Sequence, residues 1–297
     1  MPTTPSAPHP GLFVSLINDA SPFPPAALPV REALARHREH RAAWYADLIG
    51  PLLVGVAHVP DLIEALSDEA SEGGEALPLR VGLAARPGTK PGDIAAALRT
   101  LAEQPAVEVV SLDRAFDPGW AEEPHEHGRT LNLEVGREHR EIETALDSID
   151  DEGIEGVQAK FRTGGTPKWR WPEEKELAGF IHQAVESRVP FVLTGGLHHA
   201  IRGRYEVTGN QAPEKPQEQH GLLNVLLATW RAAQGADVED ITATLRERSS
   251  EILTSPFATM TAVDVSLIRG HFSSYGCCDV TDPVRELKKL HLIKEKK

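Results

Sequence analysis

Gln158-Ala-Lys-Phe-Arg-Thr-Gly-Gly165 and Pro190-Phe-Val-Leu-Thr-Gly-Gly-Leu-His-His199 are two blocks of one pattern, separated by a polar, helix-like segment. Each is a short apolar run that stops at a Gly-Gly pair, with cationic or titratable residues beside it. Parallel strands end this way at a site: the run buries both faces, the glycines let the backbone turn, and reactive side chains project from the carboxyl end. Alternate residues of a strand share a face. Gln158, Lys160 and Arg162 therefore point one way, and Val157, Ala159 and Phe161 the other. The apolar set is expected against covering helices, and the cationic set inside a barrel or at a sheet's site.

Outward from these blocks the apolar runs recur. Strands are expected at 12–17, 52–58, 79–85, 107–112, 130–135, 157–162, 190–194 and 271–275. Helical patterns lie between most of them, at 25–49, 61–66, 91–103, 137–149, 172–187, 221–233 and 238–252, with a closing helix at 282–290. Eight strands alternating with helices predict a single-domain α/β fold, a (β/α)8 TIM-like barrel over 11–297, after a proline-rich, disordered segment at 1–10. An open doubly wound sheet is the runner-up. The stretch 113–129 fits least, because a parallel crossover needs a helix there and the sequence offers proline, glycine and charge. The stretch 202–219 reads as a polar loop.

Composition narrows the function. The chain has 297 residues, a formal net charge of −13 and no lysine–arginine stripe, which argues against nucleic acid as a partner. No run approaches the roughly 20 apolar residues of a membrane span, and no basic stretch precedes an apolar one at the N-terminus, so neither membrane nor secretion is expected. Cys277 and Cys278 are adjacent and poorly placed to bridge, which suits a reducing cytoplasm. Homo-oligomerisation is left open.

Barrel enzymes work at strand carboxyl ends. Those ends carry Asn18 and Asp19, His58, Arg86, Asp113, Glu134 and Arg137, Lys160 and Arg162, His198 and His199, then Cys277. Asp19 before Ser21 reads as a helix cap, Arg86-Pro as turn chemistry, and Arg137 as a solvated helix residue. Lys160 stands apart, because lysine inside an apolar run needs a partner or a function. Glu134, sharing a face with Asn132, is its expected counter-ion, and a purely structural Glu134–Lys160 pair is the bland alternative.

Lys160-Phe-Arg-Thr-Gly164 resembles the strand-six Lys-x-Ser-Thr-Gly of deoxyribose-phosphate aldolases, and Val192-Leu-Thr-Gly-Gly-Leu197 is similar to their strand-seven Lys-x-x-Gly-Gly-Ile/Val. The likeness covers about 156–200. It implies Lys160 as a Schiff-base lysine and Gly195-Gly196 as backbone facing a phosphate or carboxylate. The chain departs from that pattern in three places: Val192 stands where the family has a second lysine, Arg162 replaces a serine, and His198 replaces an arginine.

A lysine nucleophile needs desolvation or a neighbouring cation, and Arg162 supplies the cation. Acid–base work then falls to His198, His199 or Glu134. Arg162 and Arg202 are the candidates to hold a carboxylate or phosphate, with Gly164, Gly165, Gly195, Gly196, Asn18 and Asp113 around the substrate. This reading calls for a small anionic substrate and for no cofactor. A metal-dependent lyase or hydrolase is the competing reading, with His58, Glu134, His198, His199 and Cys277 as ligands. His125-Glu-His127 has a chelating form but sits in a polar loop. A non-catalytic barrel that binds a small anion is the third.

Overall fold

A computed structural model describes residues 9–71, 78–122, 128–164, 171–207, 209–211 and 215–295. Strands β1 (Ile17–Asp19), β2 (Ile49–Gly55), β3 (Leu79–Ala84), β4 (Val107–Ala115), β5 (Thr130–Glu134), β6 (Val157–Arg162) and β7 (Phe191–Thr194) precede a short antiparallel hairpin of β8 (Gly203–Tyr205) and β9 (Gln217–Gln219), and β10 (Phe272–Cys277) follows it. All except the hairpin close into one barrel in the order β1-β10-β7-β6-β5-β4-β3-β2, every pairing parallel. The helices are α1 (Val30–Ala42), α2 (Val59–Ser71), α3 (Pro91–Ala102), α4 (His139–Glu152), α5 (Glu174–Glu186), α6 (Leu222–Ala233), α7 (Val238–Arg246), α8 (Ser250–Thr254), α9 (Ala262–His271) and α10 (Thr281–Lys289). The fold is thus the α/β TIM-like barrel that the alternation predicts, and the open sheet is excluded. No helix among the described residues is long and apolar enough to cross a membrane.

Local chemistry explains where these elements start and stop. Glu138 with Glu141, and Glu173 with Glu176, form reciprocal capping boxes that open α4 and α5, and α4 ends at Gly153 in the left-handed region. The outward faces of the strands meet the helices through an aromatic ladder. Phe161 stacks on Phe180 at 4.5 Å, Phe180 meets Phe191 edge-on at 5.3 Å, and Phe191 stacks on Phe272 at 5.4 Å. Phe161 and its alternating neighbours therefore do face the helices.

Several boundaries differ from the sequence reading. The apolar residues from Leu12 to Leu16 are not a strand: a 3-10 turn at Pro10–Leu12 tucks Leu12, Phe13 and Leu16 into the core, and β1 begins only at Ile17. The long first helix is confined to α1, and β2 starts at Ile49 and gives way to a 3-10 turn at Val56–His58. The stretch 202–219 contains the β8–β9 hairpin, the helix expected at 238–252 is divided between α7 and α8, and α9 was not foreseen. Between β4 and β5 the described residues hold a single 3-10 turn, Trp120–Glu122. Trp120 is 1% exposed and donates from Nε1 to Ser148 Oγ on α4 at 3.0 Å, so one indole shields strands that a crossover helix would otherwise cover.

The buried apolar residues form two clusters. The smaller joins α1, β2, α2, β3 and α3, and the larger takes in the rest of the barrel wall and its helices. Leu112 on β4 packs against both.

Candidate active site

The register of three neighbouring strands sets the site. Asp113 on β4 lies beside Asn132 on β5, and Glu134 on β5 beside Lys160 on β6. Lys160 Nζ donates to Asp113 Oδ2 at 2.8 Å and stands 3.6 Å from Glu134 Oε2. Asn132 Nδ2 donates to Asp113 Oδ1 at 2.6 Å, and Arg162 donates to Glu134 from Nε at 3.0 Å and from Nη2 at 3.4 Å. Asp113 is 5% exposed and Lys160 8%. The network runs from this buried pair outward to the more open Glu134 and Arg162 and carries two cations and two carboxylates.

Glu134 shows which force wins at the mouth. Burial pushes its carboxyl up, but Lys160 and then Arg162 outweigh burial and hold it below the usual carboxylate range. It stays ionised and fixes the Arg162 fork. The bland expectation of an isolated Glu134–Lys160 pair is incomplete, because Asp113 makes the shorter contact. A cleft of about 840 Å³ opens beside this network at the carboxyl ends of β3, β4 and β5, lined by Glu134, Phe116, Arg137 and Arg140 among others.

The glycines after β6 and β7 pack against each other. A Cβ on Gly164 would collide with the Gly195 carbonyl, and one on Gly196, at φ +117°, with the Trp171 ring. A Cβ on Gly195 would lie 3.3 Å from Arg162 Nη1, so this glycine lets the guanidinium edge approach the loop. Thr163 Oγ1 donates to the carbonyls of Thr194 and Gly195 at 3.2 and 3.1 Å and ties the two strand ends together. Gly165, His125 and His127 lie outside the described residues.

The remaining candidates have other partners. His198 is buried against two thiols: Cys277 Sγ lies 3.6 Å from Nδ1 and Cys278 Sγ 3.5 Å from Nε2. Burial holds its imidazole down to about 4, and His199 adds to that effect. His199 contacts Glu286 Oε1 on α10 through Nδ1 at 2.7 Å and stacks on Tyr205. Arg202 pairs with Glu174 on α5 and Glu218 on β9. Asn18 donates to Ser274 Oγ on β10 at 3.0 Å. Asp19 does not cap α1: it accepts from Ser21 N and contacts His37 Nδ1 at 3.1 Å, both deep in the fold. His58 is a surface partner of Asp61.

Among the described residues no three His, Cys, Asp or Glu side chains are placed to share a metal ion. Sequence reasoning missed Thr163, Trp171 and the contact between Cys278 and His198. The threonine and tryptophan carried no signal beyond their nearness to the Gly-Gly pairs. No protein-family model, curated protein or solved structure matches the chain.

Proposed function

We propose that the chain is an enzyme acting on a small anionic carbonyl substrate, a lyase of class I aldolase type with Lys160 as its Schiff-base amine. The observation that carries this reading is the 2.8 Å contact between Lys160 Nζ and Asp113 Oδ2, buried behind Glu134, the member of the network that lines the open cleft. It supplies a nucleophile and a proton acceptor already in hydrogen-bond reach.

Lys160 hands a proton to Asp113, and the amine lone pair forms a bond to the substrate carbonyl carbon while the π pair moves to oxygen. Asp113 relays two protons in all from nitrogen to that oxygen, which leaves as water. The bond between the α and β carbons then breaks: its electron pair forms the enamine double bond as the iminium π pair moves to nitrogen, the β-hydroxyl gives its proton to a carboxylate of the network and leaves as a carbonyl, and protonation at the α carbon followed by addition of water releases the second product and the Lys160 amine. Glu134, kept ionised, orients Arg162, and the Arg162 Nη1 edge beside Gly195 meets the substrate's carboxylate or phosphate. Val192 in place of the resembled family's second lysine leaves Arg162 as the cation nearest Lys160 in sequence on that strand.

The test is borohydride reduction in the presence of a panel of keto acids and phosphorylated aldehydes, read by peptide mass spectrometry. A reduced adduct is expected on Lys160 and on no residue in Lys160→Arg, and Lys160→Ala is expected to lose at least about a thousandfold in kcat/KM. Turnover by Lys160→Arg at the unmodified rate would end the imine reading, because a guanidinium forms no imine. Binding without turnover is the second reading, favoured by the charge balance of Asp113 and Glu134 against Lys160 and Arg162. It predicts saturable thermal stabilisation by an anion with no adduct.

A further inference from the structure

Outside Glu134, the cleft of about 840 Å³ has a chemistry that the Lys160 network does not use. Its volume lies in the roughly 300–1,000 Å³ range of clefts that enclose a drug-sized ligand. One wall is apolar. Ala85 follows β3, Ala115 closes β4, Phe116 comes next, and Val135 follows β5, with Pro87 beside them. Phe116 is fixed in place, because its backbone N–H donates to the Glu134 carbonyl at 2.9 Å. Its half-buried side chain rests on the larger apolar cluster and also lines the cleft.

The carboxylates of the lining already hold partners. Glu134 takes the Arg162 fork and lies near Lys160, Glu138 and Glu141 form the capping box of α4, and Glu176 serves that of α5. Arg140, in the first turn of α4, is exposed and pairs with no carboxylate among the described residues. A polyhydroxylated chain would lie against a wall that offers its hydroxyls no side-chain partner. A flat apolar group would meet the Phe116 ring, and a guanidinium lines the same space; both stack on aryl rings.

We propose that the cleft selects an aryl group on the substrate and that Phe116 determines this specificity. The substrate class is then an aryl-bearing hydroxy keto acid, with its carboxylate toward Arg162 and its ring against Phe116, and not a sugar phosphate. This class rests on Lys160 as the reacting amine; the preference of the cleft for an aryl group can be measured without it.

Titration calorimetry with 3-phenylpropionate and with propionate tests it, because neither acid has a ketone or aldehyde and binding is read without imine formation. 3-Phenylpropionate is expected to bind saturably and at least about tenfold more tightly than propionate. In Phe116→Ala the ratio is expected to fall to within about twofold, and in Phe116→Tyr, which keeps the ring, to persist. That rescue separates lost stacking from an altered fold. Equal binding of the two acids, no saturable binding of 3-phenylpropionate, or a preference unchanged in Phe116→Ala would overturn the proposal. An aryl preference that holds while borohydride traps nothing on Lys160 upholds the aryl site and removes the imine chemistry. Trapping of pyruvate on Lys160 without an aryl preference does the reverse.

Discussion

At the scale of the residue, Asp113 is the sharpest handle. Asp113→Asn keeps the shape and the hydrogen bond to Asn132 within reach but removes the proton acceptor beside Lys160. Imine trapping is expected to slow about a hundredfold. The variant also leaves the buried ammonium with Glu134 alone, at 3.6 Å, and denaturant unfolding is expected to show a loss of about 3 kcal/mol. An unchanged trapping rate would remove Asp113 from the mechanism. Lys160 itself was legible in the sequence, because a lysine among apolar strand residues demands a partner. Its nearest partner was not. Alternation assigns faces and register pairs Glu134 with Lys160, yet the shorter bond crosses over β5, from β4 to β6. That reach depends on the stagger of strands around a closed barrel, which one strand's sequence does not contain. His198 was misplaced for a related reason: two residues past the Gly-Gly pair, positive φ at both glycines swings the chain toward β10.

Elements show the same division between pattern and packing. Gly164 and Gly179 are both glycines in the β6–α5 region with opposite roles. Gly164→Ala drives a methyl into the backbone of Gly195, where no side chain can yield, and should cost about 3 kcal/mol or more. Gly179 lies within α5 with nothing within 4 Å of a Cβ, so Gly179→Ala should stabilise by about 0.5–1 kcal/mol. Urea midpoints of the two variants that shift in the same direction would contradict this assignment. Most strands were readable because both faces of a parallel barrel strand are covered, which leaves an unbroken apolar run. The exceptions follow from the same rule. Leu12, Phe13 and Leu16 are apolar because they plug the core, not because they pair, and β8 and β9 are polar because their two-stranded hairpin stands outside the barrel sheet and stays partly exposed. The turn at Trp120 could be anticipated only as a missing helix, since a lone tryptophan has no periodicity.

For the whole molecule, the alternation of runs was enough to predict a closed barrel, because each parallel crossover adds one strand of fixed handedness. Acid stability follows from burial that no sequence pattern reveals. His198 and His220 are held neutral down to about 4 by burial, against an ordinary value of 6.5. Between those values the unfolded chain binds protons that the folded chain refuses. Stability is therefore full above about pH 6.5 and falls as pH drops toward 4, by on the order of 3 kcal/mol for each group. Urea unfolding at pH 7.5 and 4.5 measures the loss, and replacing both histidines by glutamine should flatten it; an unflattened profile would assign the acid sensitivity to other groups. The two apolar clusters have a mechanical consequence. β4 leans on the smaller cluster through Val107 and Val109 and on both through Leu112, whereas β5 and β6 belong to the larger. The Asp113–Lys160 bond therefore ties the strand on which the two clusters meet to one held in the larger, and local opening of the smaller cluster is expected to loosen it before the Glu134–Arg162 pair, whose strands both lie in the larger.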